Sequence, residues 1–309
     1  MTAATHPVRA HALRAWPAWV SALLVLGCAG TTPAPAPAVS SSTWSASVTP
    51  ATVPPMTVPR TAAWPTAASP TAAPPPSLRG DQRNAWAFAP LRCPDQVVVE
   101  GSVAGAPAWS TSKVLVAAAF VKVVAGGDPR RLNAGQRRWV ASALQRSDGS
   151  AVVAMAAAIP GGQAAPINAI LRAIGDTSTR APDRRAGLMR WSLREQVRFL
   201  GALAAGRVVN RATSRYLLET MRPIRAHAWG LGSIGASAWK GGWLRPSTPT
   251  RQMGIVNGYA VALITAGVGP AVRQSDGDWA HVAQLNRLAG MLRQRLTAAG
   301  PAELPQTCR

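Results

Sequence analysis

The chain has 309 residues, with 33 basic side chains against 12 acidic ones, and 48% of it is apolar. This length fits one large domain or two small ones. Three cysteines are too few for a disulfide-dense mini-protein, and the scarcity of Cys and His argues against a metal centre or other cofactor site.

Residues 1–27 have the pattern of an export signal. Arg9 and Arg14 precede a short apolar run that ends at Gly27-Cys28. The run is too short to span a bilayer, which takes about 20 residues, and it has the charged and apolar regions of a signal peptide. Its end resembles a bacterial lipobox, in which the Cys is lipidated and becomes the new N-terminus. We expect a lipid anchor on Cys28 and a cell-membrane location on the extracytoplasmic face; cleavage without lipidation is the alternative.

Residues 28–80 predict a disordered linker that tethers the anchor to a domain. The stretch consists of Ala, Pro, Ser and Thr with almost no charge, so it cannot bury enough apolar surface to order itself. Removal of the signal takes away two Arg and no acidic residue, and the exported chain stays strongly basic. Such a surface attracts anionic lipid or phosphate-bearing wall polymers, or it is a solvated surface without a dedicated partner. Export and the absence of a base-reading motif argue against nucleic acid.

Residues 81–309 predict one α+β domain, an antiparallel sheet flanked by helices with a helical subdomain. Val97–Glu100 has the composition of a short strand, and the pattern from Ser110 to Ala125 indicates a helix. The N-terminal and C-terminal parts are expected to share one sheet. Further helices are predicted near 133–145, 150–158, 163–173, 191–205, 210–222 and 278–299, and further strands at 238–244, 251–256 and 259–266.

The first candidate motif is Ser110-Thr111-Ser112-Lys113, at the start of a predicted helix. Residues three apart share a helix face, so the hydroxyl of Ser110 and the amine of Lys113 can meet. A neutral Lys could take the Ser proton and create a nucleophile that accepts acyl groups. Only three residues of the chain are Lys, including Lys113 and Lys240. The alternative is that Ser110 only caps the helix.

The second and third motifs come later in the chain. Ser147-Asp148-Gly149 lies between two predicted helices, where the Ser could relay a proton or the segment could be an ordinary capping turn. Lys240-Gly241-Gly242 lies between two Trp residues. Read as a strand, it turns Lys240 and Gly242 to one face, where Gly would let a substrate backbone approach; read otherwise, it is a tight hairpin turn.

Ser-x-x-Lys, Ser-Asp-x and Lys-x-Gly in this order resemble the motifs of the serine β-lactamase and penicillin-binding-protein superfamily. The resemblance spans about residues 85–300. It implies that Ser110 is the acylated nucleophile, Lys113 its base, Ser147 a proton shuttle and Lys240 a holder of the substrate carboxylate. It also implies an oxyanion hole built from the backbone N–H groups of Ser110 and Trp243. The glycines Gly149, Gly241 and Gly242 would border the substrate.

The chain departs from that family's pattern at three places. Gly149 stands where an Asn contacts the substrate amide, and Gly241 replaces a Thr or Ser hydroxyl that grips a carboxylate. The stretch 175–191 contains no Glu, so the water-activating Glu of class A enzymes is missing, and Asp183 is the only carboxylate there after Asp176. These losses predict slow turnover, because each such group contributes about 2–4 kcal/mol to catalysis.

Two cysteines remain beyond Cys28. Cys93 and Cys308 lie near the two ends of the predicted domain and are expected to form a disulfide in an oxidising compartment, with two free thiols as the alternative.

Two functional hypotheses follow from the sequence. The first is a weak or specialised serine acyl hydrolase at the cell wall, acting on a peptidoglycan-like peptide, a β-lactam or an ester. The second is a non-catalytic, lipid-anchored binding protein of the cell envelope that keeps the fold.

Overall fold

An antiparallel sheet lies at the centre of the computed structural model, which describes residues 74–243, 248–266 and 279–298. The expected signal, most of the expected linker, Cys28 and Cys308 lie outside these residues. In the described part of the chain the strands are β1 (Asn84–Pro90), β2 (Val98–Gly101), β3 (Ala238–Gly242), β4 (Thr250–Val256) and β5 (Tyr259–Thr265). Their order is β2-β1-β5-β4-β3, so the N-terminal and C-terminal parts share one sheet, as predicted.

The helices agree closely with those predicted from apolar periodicity. They are α1 (Lys113–Val124), α2 (Ala134–Gln145), α3 (Gly149–Ala157), α4 (Ala164–Ala173), α5 (Leu193–Ala204), α6 (Arg211–Thr220) and α7 (Trp279–Ala298). The α+β class is therefore confirmed. None of the helices in the described part combines the length and apolarity needed to cross a bilayer.

Helix α1 is the centre of the helical subdomain. Every residue from Lys113 to Val121 is buried, and a helix that is apolar on all sides belongs inside a core. Helices α2, α3, α4 and α6 pack around it. Because α1 is fixed on all sides, its N-terminal end is a rigid place from which to present a side chain.

Strand β1 was not predicted from the sequence. All seven of its residues are buried. Ala85, Ala87 and Ala89 face the core shared with α5, while Trp86 and Phe88 pack toward α7 on the opposite face. Ala and Pro have low strand propensity, so burial on both faces of the sheet, and not local preference, makes this segment a strand.

Strand β2 and helix α7 are joined by a buried ion pair. The Arg295 Nε atom lies 3.1 Å from Glu100 Oε1, and the Glu100 carboxylate also accepts from the Leu78 backbone N–H. Cys93, in the loop between β1 and β2, is disulfide-bonded. Its pairing with Cys308 stays a prediction, because the partner cysteine lies outside the described residues.

Candidate active site

Ser110 lies on a 3-10 turn, Trp109–Ser112, directly before α1. The sequence predicted an α-helix from Ser110, but the α-helix begins at Lys113. Trp109 has a φ of +47°, a left-handed conformation that is rare for a bulky residue. Side chains hold the turn: Ser112 Oγ donates to the Trp109 carbonyl at 2.7 Å, and Gln196 Nε2 donates to Thr111 Oγ1 at 2.8 Å. Strain held by its surroundings in this way is typical of functional sites.

Ser147 lies in the short connection between α2 and α3, also in a left-handed conformation, with a φ of +60°. The next residue, Asp148, caps α3 by accepting from the backbone N–H groups of Ser150 and Ala151, and Ser142 Oγ donates to it at 2.8 Å. Both interpretations of the second motif are therefore compatible: Asp148 makes the helix cap, and Ser147 is left outside the helix.

Two lysines converge on Ser147. Lys113 Nζ donates to the Ser147 carbonyl oxygen at 2.6 Å, and Lys240 Nζ donates to the Ser147 hydroxyl at 2.9 Å. Lys240 Nζ also donates to the Gly241 carbonyl at 2.9 Å. No hydrogen bond joins Lys113 to the Ser110 hydroxyl in the described part of the chain. The side chains of α1 and β3 thus meet at the loop that carries Ser147.

The third motif is a strand and not a hairpin turn. Strand β3 pairs with β4 along its length, with Gly242 opposite Arg251. A Cβ on Gly242 would lie 2.9 Å from the Ala108 carbonyl oxygen and 3.1 Å from the Ser110 backbone nitrogen. The expectation that Gly242 leaves room for a substrate backbone stays a prediction; in the direction in which a Cβ would point, this chain's own 108–110 backbone fills the space. Gly242 instead lets β3 lie against the turn that bears Ser110.

The opposite face of β3 carries an aromatic cluster. A Cβ on Gly241 would lie 2.7 Å from the Trp243 ring and 3.7 Å from the Trp229 ring. Trp243 packs against Trp229 and His227, with ring centroids 5.2 Å apart in both pairs. Lys240 Nζ lies 6.0 Å from the Trp243 ring centroid. The Trp243 side chain therefore occupies space next to Gly241, where the sequence predicted a substrate.

Sequence patterns alone did not single out His227 or Trp229. His227 is buried, and its Nε2 atom has no hydrogen-bond partner in the described part of the chain. Burial and the nearby Lys240 cation lower the pKa of His227, and a hydrogen bond with the Gln145 backbone acts in the opposite direction. His227 is therefore expected to be neutral near pH 7. The only signal in the sequence was one isolated histidine close to several tryptophans, which is too weak to identify a site.

Burial changes the acidity of both lysines. Desolvation lowers the pKa of Lys113 to about 8, although the nearby Asp148 carboxylate opposes the shift. Desolvation and the Lys113 cation lower the pKa of the fully buried Lys240 well below its usual value. A buried amine of this kind is neutral for part of the time near neutral pH, so it can accept a proton.

In the described part of the chain, no hydrogen bond joins an Asp or Glu side chain to the Ser110 turn. Asp183 is exposed. The segment after it packs directly on the turn: the Ala108 backbone N–H donates to the Met189 carbonyl at 2.9 Å, and a Cβ on Gly187 would lie 3.1 Å from the Trp109 carbonyl oxygen. The described residues also contain no cluster of three His, Cys, Asp or Glu side chains that could hold a metal ion.

Gly149 begins α3 and is exposed, and a Cβ at this position would meet no atom within 4 Å. The site therefore has open space where the resemblance places an Asn side chain.

The fold is that of class A β-lactamases and penicillin-binding proteins. No protein-family model and no curated protein sequence matches the chain. Among solved structures, PBP-A is 18% identical with a TM-score of 0.54, and the match covers 71% of this chain and 92% of that one. A variant of the last common ancestor of Gram-negative bacteria class A β-lactamase is 17% identical with a TM-score of 0.52, covering 70% and 92%. A mutant of the same ancestor is 17% identical with a TM-score of 0.51, covering 70% and 94%.

Proposed function

We propose that the chain is a serine acyl-transferring protein. It becomes acylated on Ser110, and the acyl group is released slowly. The observation that carries the proposal is the convergence of Lys113 and Lys240 on Ser147, beside the strand that lies against the Ser110 turn. A nucleophile, an amine of lowered pKa and a relaying hydroxyl are the parts that acyl transfer requires.

The proposed acylation step uses the hydroxyls of Ser110 and Ser147 and the amines of Lys113 and Lys240. The Ser110 oxygen attacks the carbonyl carbon of a β-lactam, a stem-peptide amide or an ester, and its proton passes to the neutral amine of Lys113. The Ser147 hydroxyl, hydrogen-bonded to Lys240, then gives a proton to the leaving nitrogen or oxygen as the acyl bond breaks. Lys113 returns the proton that it took from Ser110 to the Ser147 oxygen, so both lysines end the step as they began it. The backbone N–H groups of Ser110 and Trp243 are the proposed donors to the developing oxyanion.

Deacylation is the slow step of the proposed cycle. Water must attack the Ser110 ester, and a positioned base accelerates such an attack by roughly 10²–10⁴-fold. Asp183 is exposed, and the 187–189 segment lies against the turn. The acyl-enzyme should therefore accumulate.

The experiment incubates the purified full-length chain with a fluorescent penicillin and with an activated ester. Denaturing electrophoresis and peptide mass spectrometry should find one adduct on Ser110 that persists for many minutes. Ser110→Ala should abolish it, while Ser150→Ala, at an exposed serine on α3, should leave it unchanged. Equal labelling of the two variants would refute the proposal.

A non-catalytic binding protein of the cell envelope is the second candidate. It is favoured by Trp243, whose ring takes the space next to Gly241, and by the hydrogen bond that holds Lys113 on the Ser147 carbonyl. If the full-length chain and its Trp243→Ala variant both fail to react with the penicillin and with the ester, this second function replaces the first.

We also propose that the protein is exported and held on the outer face of the cell membrane by a lipid on Cys28. The proposal rests on the sequence of the first 28 residues. Metabolic labelling with a fatty-acid analogue should mark the full-length chain but not its Cys28→Ser variant. Equal labelling of both would exclude this anchor.

A further inference from the structure

A cavity of about 580 Å³ lies apart from Ser110, Ser147 and Lys240. It is bordered by the helix-facing side of the sheet, by the loop after β2 and by the segment that leads into α5. Its volume is within the range of about 300–1,000 Å³ that small-molecule sites occupy. The lining residues that matter here are Val99, Val103, Trp191, Arg190, Arg194 and Arg251.

Arg251 is a buried cation without a carboxylate. Arg251 is 2% exposed. Its guanidinium donates to the carbonyl oxygens of Pro107 at 3.0 Å and Trp191 at 2.7 Å. No ion pair involves it in the described part of the chain, and burial lowers its pKa to about 9. A buried charge is strongly destabilising unless an opposite charge or a set of hydrogen bonds compensates it. Carbonyl oxygens compensate Arg251 only in part, since its Nε atom has no hydrogen-bond partner among the residues that the structure describes.

A second donor without an acceptor borders the same cavity. The indole Nε1 of the buried Trp191 has no hydrogen-bond partner among the described residues, like the Nε atom of Arg251. Buried donors without acceptors are rare in native proteins and call for an explanation. Both residues border one cavity, and their unpaired donors add to its electropositive character.

The charge around the cavity is entirely positive. Arg190 and Arg194 are exposed and line it together with Arg251, and neither Asp nor Glu is among its lining residues. Helix α5 begins at the same place, with Ser192 as its N-cap, and the N-terminal end of a helix favours an anion. Because Val99, Val103 and Ile264 also line the cavity, a ligand there would meet apolar walls as well as cations.

We propose that this cavity binds an organic anion, a carboxylate or phosphate group carried on an apolar body. The arginines Arg190, Arg194 and Arg251 attract the anionic group, and the valines and Ile264 pack against the apolar body. The site takes no part in acyl transfer at Ser110, so it goes beyond the proposed function.

The test measures binding to the full-length chain by titration calorimetry with octanoate, octyl phosphate and inorganic phosphate. At least one of the octyl compounds should bind saturably and roughly tenfold more tightly than inorganic phosphate. The tighter of octanoate and octyl phosphate identifies the anionic group, and either result supports the site. Tight binding of inorganic phosphate alone, or saturable binding of none of the three, would overturn the proposal.

Matched variants separate the cavity from the general basic surface. Arg190→Ser/Arg194→Ser should weaken binding roughly tenfold, because both cations that it removes are exposed at the cavity. Arg138→Ser/Arg215→Ser removes the same charge from exposed positions on α2 and α6 and should change binding less than about twofold. An equal loss in both pairs would show non-specific attraction and refute the site. Ser110→Ala should bind as the wild type does; loss of binding in that variant would place the ligand at the other site instead.

Discussion

The Lys240 ammonium lies 2.9 Å from the hydroxyl oxygen of Ser147, a residue 93 positions earlier in the chain. Lys113 reaches the backbone carbonyl of the same serine, so two amines share one buried site. Each cation disfavours the charge of the other, and the Lys113 cation contributes to the lowered pKa of Lys240. The pair can therefore supply a neutral amine under conditions in which an exposed lysine stays charged.

The acylation rate should follow the neutral form of Lys113. Its pKa is lowered to about 8, so the neutral fraction rises as the pH increases through this value and then levels off. We expect the rate of penicillin labelling to rise about tenfold per pH unit below pH 7 and to reach a plateau above about pH 9. Lys113→Met should remove both the labelling and its pH dependence. A flat pH profile in the wild type would exclude Lys113 as the base.

The same pKa shift should make the folded state more stable at alkaline pH. The unfolded chain protonates Lys113 near 10.5 and the folded chain near 8, so between these values the unfolded state binds more protons and the free energy of unfolding rises with pH. Lys113→Met should raise the free energy of unfolding at pH 7 by up to about 3 kcal/mol and flatten this rise. Denaturant unfolding at pH 7 and pH 9.5 measures the difference between the two proteins. A variant less stable than wild type at both pH values would contradict the prediction.

Gly242→Ala should distort the backbone of the turn that carries Ser110. The added methyl would lie 2.9 Å from the Ala108 carbonyl oxygen and 3.1 Å from the Ser110 backbone nitrogen, and backbone atoms cannot move aside as a flexible side chain can. We expect a loss of about 1–3 kcal/mol in stability together with loss of labelling. The matched variant is Gly290→Ala in α7, where the methyl meets no atom within 4 Å and should stabilise the helix by up to about 1 kcal/mol. Thermal unfolding that ranks the two variants in the reverse order would disprove the packing argument.

Gly149→Asn should restore a group that the family pattern provides. The position is exposed, and its Cβ would meet no atom within 4 Å, so we expect stability to change by less than about 0.5 kcal/mol. An amide here can hydrogen-bond the acyl group, and the labelling rate should rise roughly tenfold. Gly149→Ala controls for the backbone change. Equal rates for the Asn and Ala variants would show that the amide does not reach the substrate.

The disulfide of Cys93 should join it to Cys308. In the non-reduced full-length chain, Cys308→Ser should expose one new thiol to an alkylating reagent, and peptide mapping should place it on Cys93. Cys28→Ser should expose none. The opposite pattern would assign the bond to Cys28. Closure of so long a loop should contribute about 5 kcal/mol to stability by chain entropy.

Much of the fold could be predicted because α2, α4, α5 and α6 carry a clear apolar period and α1 is a long apolar run. Strand β3 was also found at nearly its observed place, since Lys240 and its glycines lie between two large apolar residues. Strand β1 was missed because Ala85, Ala87 and Ala89 have little strand propensity and become a strand only by burial. Local pattern cannot show burial on both faces of a sheet.

Three of the predicted site residues, Lys113, Ser147 and Lys240, lie together, but their contacts could not be predicted from the sequence. Spacing alone places Lys113 on the face of Ser110, yet its Nζ atom donates to Ser147, because the α2–α3 loop comes within reach only after folding. The contact of Trp243 with Gly241 and Trp229 likewise depends on how the strand and the preceding loop pack together. Long-range contacts of this kind cannot be inferred from the spacing of residues in the sequence.

The close approach of Gly187 to the Trp109 carbonyl also bears on how the protein could change over evolutionary time. A Cβ at position 187 would lie 3.1 Å from the Trp109 carbonyl oxygen, so a larger residue there requires the backbone to shift by a few tenths of an ångström, and the neighbouring Ala186 is already buried. A general base introduced at position 187 therefore requires a shift of the Trp109 backbone as well as the substitution itself.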